Sequence, residues 1–402
     1  MQLKDIELAA SRLRGTIHET PVTTSRTFSE MAGAELFLKC ENLQKTGSFK
    51  VRGAYNKIAA LAREQGSLPM LIASSAGNHA QGVAYAARAM GAQATIVMPR
   101  TTPIAKVSAT EGYGAKVVLA GDYYDEAYAH ALQIQEETGG LFIHPFDDAD
   151  VIAGQGTISL EILRALPTMD AVLVPAGGGG LLAGMAACIK QINPRVRVIG
   201  VQAAGADALV RSFRTRQEVS CDSVYTIADG IAVKKPGTLT SSLIWEYVDE
   251  MVTVTDNEIA STILMLLERN KMVVEPAGAA ALAAAINRVV DLAGKRAVCV
   301  LSGGNIDVGF IHRIVEKGLI TRGRRIKFST IMRDVPGSLN TFSSIVAQCG
   351  ANFIMVQHDR LSADLPLGDS ILHVACEVGG WEHGQELIRR LEDHGYQVKV
   401  ES

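Results

Sequence analysis

Residues 172–184 read VLVPAGGGGLLAG. A β-branched apolar run stops at Pro175, passes through Gly177, Gly178, Gly179 and Gly180, and resumes at Leu181 as a leucine- and alanine-rich segment. A short apolar run bounded by turn residues is a buried strand, and the segment after it is a helix that covers the sheet. The turn between them has no side chains. Its backbone N–H groups therefore stand bare beside a helix start, where the helix dipole favours a phosphate.

The same alternation extends in both directions. Apolar runs at 71–73, 94–98, 115–119, 171–174, 196–202 and 297–301 read as strands, and alanine-rich stretches such as 80–90 and 181–191 read as helices. Strand and helix in alternation give an α/β protein whose parallel sheets are covered on both faces. Two blocks of such units are expected, with ligands bound in the cleft between them. One is a large domain formed by residues 1–50 and 151–320, and the other a small domain formed by 51–150.

After Thr321-Arg322-Gly323-Arg324-Arg325 the rhythm changes. A strand at 326–332, a helix at 339–349, strands at 351–358 and 371–378, a helix at 381–391 and a strand at 396–400 make a ferredoxin-like βαββαβ unit spanning 325–402.

Bulk composition excludes several classes. The 402 residues are 48% hydrophobic and 20% charged with a net charge of -3, which offers no footprint for nucleic acid or anionic lipid. Cys40, Cys188, Cys221, Cys299, Cys349 and Cys376 form no CxxC pair, so reduced thiols are expected rather than disulfides or a zinc site. The N-terminal stretch lacks the apolar core of a signal peptide, and the alanine-rich run at 277–286 is too short to span a bilayer. The chain is expected in the cytoplasm, off the membrane.

Three further loops share the character of the tetraglycine turn. Ser74-Ser75-Ala76-Gly77-Asn78-His79 lies between a strand and a helix, where backbone N–H groups can grip a carboxylate. His79 has no second ligand at metal spacing and reads as structural. Leu301-Ser302-Gly303-Gly304-Asn305 follows another strand, and Lys45-Thr46-Gly47-Ser48-Phe49-Lys50 sets a lysine at a helix start. Together they suggest an extended anionic ligand embraced by backbone. Gly178-x-Gly180-x-x-Ala183 fits a loose dinucleotide fingerprint, but the next strand ends in Gly200-Val201-Gln202 without the acid that binds a ribose. No Gly-x-Ser-x-Gly elbow and no P-loop Gly-Lys-Ser/Thr is present.

The segments ENLQKTGSFKVRGAYNKI, SSAGNHAQGVAYAA, MPRTTPIAKV, HPFDDADVIAGQGT, PAGGGG, TIADGIAV, VEPAGAAALAA and LSGGNID, in that order, resemble the fold type II pyridoxal-phosphate enzymes, and within them the threonine dehydratase (threonine ammonia-lyase) family. The resemblance implies pyridoxal 5'-phosphate as cofactor, with Lys50 forming its Schiff base and Phe49 packing on the ring. It implies that Asn78 bonds the ring 3′ oxygen, Gly177 to Leu181 cradle the phosphate, Ser302 faces the ring nitrogen and Glu275 supports it. Ser75, Ala76, Gly77, Asn78 and His79 would hold the substrate carboxylate. A neutral serine at the ring nitrogen makes a weaker electron sink, which favours prompt loss of a β-hydroxyl and hence deamination of L-threonine to 2-oxobutanoate.

Departures narrow the choice. Serine racemases resemble this chain but carry a second serine where Ala76 stands, the acid on the opposite face from the lysine. Their divalent-cation carboxylates correspond to Gln202 and Ala208, so no magnesium or calcium is expected there. Phe146 is expected against the threonine methyl, a contact worth about 1–3 kcal/mol, so some L-serine turnover should persist. Asp334-Val335-Pro336-Gly337-Ser338 resembles the turn of ACT domains, which sense amino acids; Ser338 is expected to cap the following helix, and Asp334, Gly337 and Asn352 are effector-site candidates. A branched-chain amino acid is the effector implied, an isoleucine-biosynthesis role the setting, and a homodimer or homotetramer the assembly. Oligomerisation without sensing is the alternative reading of this unit.

Overall fold

The computed structural model describes residues 1–361 and 365–401. The chain forms two compact units, Met1–Ile306 and Asp307–Ser402.

Two sheets build the first unit. The larger has six strands in the order Val22–Thr24, Glu35–Lys39, Arg296–Val300, Ala171–Pro175, Arg197–Ala203 and Glu250–Val254. Only its first pair is antiparallel. The smaller sheet is wholly parallel, in the order Lys116–Leu119, Ala94–Met98, Leu71–Ser74 and Leu141–Phe142. Its strands are drawn from residues 71–142, while the larger sheet takes its strands from either side of that stretch. Each sheet has its own apolar core, Val172, Val174, Leu182 and Val298 in one and Leu71, Ile96, Val83 and Ile58 in the other. Two ion pairs, Lys106–Asp229 at 2.9 Å and Lys234–Asp125 at 3.0 Å, join residues near the two sheets.

A largely buried ionic quartet centres on Arg52. The Arg52 guanidinium is fully buried and donates to Glu41 through Nε and Nη2, both at 2.8 Å. It also donates to Glu161 at 2.6 and 2.9 Å and to the Thr157 hydroxyl at 3.2 Å. Lys39 donates to the same Glu161 carboxylate and to the Thr20 carbonyl at 2.7 Å. Two cations face two anions, and the planar guanidinium fork meets both carboxylates in the bidentate way that lysine cannot. Burial alone would raise the Glu41 carboxyl; the Arg52 charge and hydrogen bonds hold it below the ordinary range instead. The quartet pins together strand Glu35–Lys39, the turn Glu41–Leu43, helix Lys50–Gln65 and helix Ala149–Ala165. Those two helices meet at glycines: a Cβ on Gly154 would sit 2.6 Å from the Arg52 carbonyl oxygen.

The second unit opens with helix Val308–Thr321, which groups with it rather than with the preceding segment. An antiparallel sheet follows, in the order Asn352–Asp359, Asp369–Glu377, Arg325–Arg333 and Gln397–Glu401. Helices Ser338–Gln348 and Trp381–Asp393 contribute Phe342, Val346, Leu387 and Leu391 to a core shared with Phe328 and Leu372. This is the βαββαβ order read from the sequence. One local expectation is corrected. Gly337, not Ser338, occupies the N-cap, with φ 95°, and no side chain caps that helix. The left-handed backbone that only glycine adopts readily turns the chain one residue earlier, which puts Ser338 inside the first turn. Among the described residues no helix is long and apolar enough to cross a membrane.

Removing Arg52 would leave the fully buried Glu41 and the partly buried Glu161 with Lys39 as their one remaining cation of the quartet. Arg52→Ala is expected to lower stability by about 3–5 kcal/mol, read as a reduced urea midpoint. A loss below ~1 kcal/mol would show that the quartet is not the clamp described here.

Candidate active site

The segment Lys45–Gly47 is a tight turn in which Thr46 adopts φ 63°, a left-handed value unusual for a β-branched residue. Its shape is imposed from both sides. The Gln44 side chain accepts from the Lys45 N–H at 2.9 Å and bonds both backbone groups of His18. From the other side, Gly304 N–H donates to the Gly47 carbonyl, Phe49 N–H to the Ser302 carbonyl, and Asn305 Nδ2 to the Thr46 carbonyl at 2.7 Å. The lysine loop is thus stitched along its length to the loop that carries Ser302, itself buried at the end of strand Arg296–Val300.

Lys50 is the first residue of helix Lys50–Gln65, where the helix dipole disfavours a cation. Its Nζ lies 5.5 Å from the Phe49 ring centroid and donates to the Pro145 carbonyl at 2.9 Å. Burial strips water from the ammonium and pushes its pKa down to about 8, against a smaller upward pull from Glu275. A lysine so placed is available as a neutral amine far more often than a surface one.

Asn78 begins helix Asn78–Ala89 and donates through Nδ2 to Glu275 Oε1 at 2.7 Å. Its Oδ1 accepts from Asn305 Nδ2, also at 2.7 Å. Glu275 is 4% exposed at the N-cap of helix Pro276–Ile286, and its pKa is raised to about 8 by burial and then by Asp229, with Asn78, Lys106 and Lys50 pulling the other way. Lys50, Asn78, Glu275 and the Ser302 loop therefore share one neighbourhood, although they are scattered along the sequence.

The tetraglycine turn is tight because other groups already fill the space. A Cβ on Gly178 would lie 2.5 Å from the Phe146 ring, one on Gly180 2.8 Å from the Phe146 carbonyl oxygen, and one on Gly177 2.9 Å from Ile231 Cα. Gly179 has φ 97° and caps helix Gly180–Ile192, in which Leu181 is buried. The Gly178 carbonyl is held from behind by the Thr240 hydroxyl at 2.7 Å, and Asp147 Oδ1 fixes the Thr240 N–H at 3.0 Å. Helix geometry leaves the N–H groups of Gly179 to Leu182 without an intrahelical acceptor, free for an anion. Phe146 presses its ring on this turn and meets His144 edge-on, at 4.8 Å between centroids and 85° between planes. Residues 145 and 146 link the glycine turn directly to Lys50.

In the loop proposed for the carboxylate, Ser75 Oγ accepts from Gly77 N–H at 3.2 Å, which leaves its own proton free to donate. His79 is 3% exposed; its Nε2–H donates to the Ile143 carbonyl at 2.9 Å, and burial, then the Lys50 charge, push its pKa down to about 3. It stays neutral with its one ring N–H committed to Ile143, so His79 can donate to a ligand only through its backbone N–H. Gln202 is fully buried, its Oε1 taken by the Val210 N–H at 2.8 Å, and Ala208 begins helix Ala208–Thr215. Two residues to which the sequence reading gave no role stand in the site: Asn305, and His144, whose Nδ1 accepts from the Asp147 N–H at 2.8 Å. A polar side chain inside a glycine-rich loop was the only available signal for the first.

Residues 13–303 match the family model of pyridoxal-phosphate dependent enzymes. The chain is 49% identical over 398 residues to the L-threonine ammonia-lyase of Thermotoga maritima, covering 99% of each. Among solved structures it resembles the processed form of threonine deaminase isoform 2 from Solanum lycopersicum, with a TM-score of 0.74 and 39% identity over 78% of this chain and 86% of that one. It also resembles maize serine racemase, with a TM-score of 0.74 and 37% identity over 80% of this chain and 98% of the other.

The donor set suits a phosphorylated aromatic aldehyde: bare amides for the phosphate, an amide side chain for a ring oxygen, and a desolvated amine for the aldehyde. Because burial favours the neutral amine, the rate at which cofactor-stripped protein takes up pyridoxal 5'-phosphate should rise with pH and level off above about 8. Stopped-flow absorbance measures it. A plateau only near the ordinary lysine value of 10.5 would show Lys50 to be solvated.

Proposed function

We propose, from the premise that this chain belongs to the pyridoxal-phosphate-dependent enzyme family, that it is a lyase converting L-threonine to 2-oxobutanoate and ammonia. The observation that carries this reading is Lys50: a buried amine of lowered pKa at a helix start, beside Asn78 and Glu275, with alanine at position 76 in the loop proposed to lie across the substrate. The cofactor, when bound, supplies an aldehyde for Lys50 and an electron-withdrawing ring that stabilises charge at the substrate α-carbon. The chain supplies everything else. N–H groups of Gly177 to Leu181 would hold the phosphate, Asn78 the 3′ oxygen, and Ser302, a neutral partner, the ring nitrogen. Phe49 would pack against the ring. Ser75, Gly77 and the backbone at Asn78 and His79 would hold the substrate carboxylate.

Lys50 would take the α-proton of the bound substrate. The β-hydroxyl would leave as water on gaining a proton, and the released 2-aminobut-2-enoate would tautomerise and be hydrolysed by one water to 2-oxobutanoate and ammonia. Racemisation would need a second proton donor on the other face; the side chain at Ala76 is a methyl group and carries no proton to give. L-Serine fits the same site less one methyl and is the expected slower substrate.

The C-terminal unit is proposed to be an ACT-type regulatory domain answering a branched-chain amino acid, consistent with an isoleucine-biosynthetic role in the cytoplasm. Asp334 is already paired with Arg360 at 2.9 Å, so an effector there would rely on the backbone at Gly337 and on the exposed Asn352 side chain. Edge strand Asn352–Asp359 exposes Ile354, Met355 and Val356, which supports assembly into a dimer or tetramer.

Ammonia release from L-threonine, L-serine and their D-isomers, with and without isoleucine or valine, tests these points together. Activity is expected on the L-isomers only, and isoleucine or valine should shift the L-threonine saturation curve unless Asn352→Ala is introduced. Lys50→Ala should be colourless and inactive. A colourless wild-type protein, or release from the D-isomers, would overturn the reading.

A further inference from the structure

An asparagine side chain is nearly symmetric in shape, yet one end donates hydrogen bonds and the other accepts them. Asn78 serves a bound ring oxygen only if its nitrogen faces the site. Glu275, its partner at 2.7 Å, does not enforce that orientation: with a pKa near 8 its carboxyl is largely protonated at neutral pH, and a carboxylic acid meets either end of an amide.

The other partner does enforce it. The Thr46 carbonyl can only accept, so the Asn305 atom 2.7 Å from it is nitrogen. The second N–H of that same nitrogen meets Asn78 at 2.7 Å and requires an oxygen there. Asn78 Oδ1 is thereby fixed toward Asn305, and its Nδ2 is turned to Glu275 with one N–H still free. The surroundings are shaped for this relay. Thr46 is held at φ 63°, which directs its carbonyl to Asn305, and Gly47 has no side chain because a Cβ would lie 2.9 Å from Asn305 Cγ.

We infer that Asn305 is a positioning residue: anchored on the Thr46 carbonyl, it sets which way round the Asn78 amide stands and so presents the free Asn78 N–H to the cofactor. This rests on the reading of the site as one for pyridoxal 5'-phosphate. Asn305→Asp keeps the shape but replaces two donors by acceptors, which sets oxygen against the Thr46 carbonyl and against Asn78 Oδ1. Asn305→Ala removes both bulk and donors without adding charge.

In holoenzyme carrying either substitution, the balance between the visible and near-ultraviolet bands of the bound cofactor should change. For L-threonine, kcat should fall about ten- to a hundredfold, with KM less affected, as expected when a group that orients another is lost. Far-ultraviolet circular dichroism should match the wild type. A space-filling role predicts otherwise: Asn305→Asp would keep the wild-type bands and kcat while Asn305→Ala lost them, and that result overturns the inference. So would wild-type bands in both variants. A wild-type protein that binds no coloured cofactor would instead defeat the reading on which the inference stands.

Discussion

The quartet of Arg52, Lys39, Glu41 and Glu161 is the constraint on which the rest depends. A guanidinium with no access to water is tolerated only if every face of it is answered, and Glu41 answers it from the turn Glu41–Leu43 while Glu161 and Thr157 answer it from helix Ala149–Ala165. Satisfying Arg52 therefore dictates where strand Glu35–Lys39, helix Ala149–Ala165 and helix Lys50–Gln65 stand relative to one another. Lys50 begins the last of these, two residues from the guanidinium. The site lysine is placed by electrostatics that it takes no direct part in, while its own environment is left free to be dry and poorly compensated.

That separation shows in the protonation chemistry. Charge is matched by opposite charge in the quartet, so Arg52 and Glu41 stay ionised. At Lys50 and Glu275 the opposing charge is weaker than the effect of burial, and both groups move toward neutrality. Proximity to one another moderates the shift of each without cancelling it. A stable scaffold and a reactive pair of groups lie side by side because one set of charges is paired and the other is left short.

How much of this was legible in the sequence follows from what each feature depends on. The central strands could be read because β-branched runs such as ATIVM report burial on both faces directly. Glu35–Lys39 could not: its apolar core is flanked by charges, and Lys39 is buried only because Glu161 lies against it. Leu141–Phe142 is two residues long and exists because it pairs with Leu71 and Ile72. In the site, the loops around Lys50, Asn78 and Gly177 to Gly180 were visible because small residues cluster at strand ends. Whether they converge depends on partners 197 and 227 positions from Asn78, Glu275 and Asn305. The ring of Phe146 lies against the glycine turn, a contact that no local pattern encodes.

That last contact bears on how the site can change over evolutionary time. Gly178 and Phe146 occupy a single shared volume: a methyl at 178 has nowhere to go while the ring is present. Neither position can drift alone toward a bulkier side chain. A lineage that altered this wall would have to shrink the residue at 146 before, or together with, enlarging the one at 178, and the His144 ring that meets Phe146 edge-on would lose its support in the process. The pair is heritable as a unit, although 32 residues separate its members in the chain.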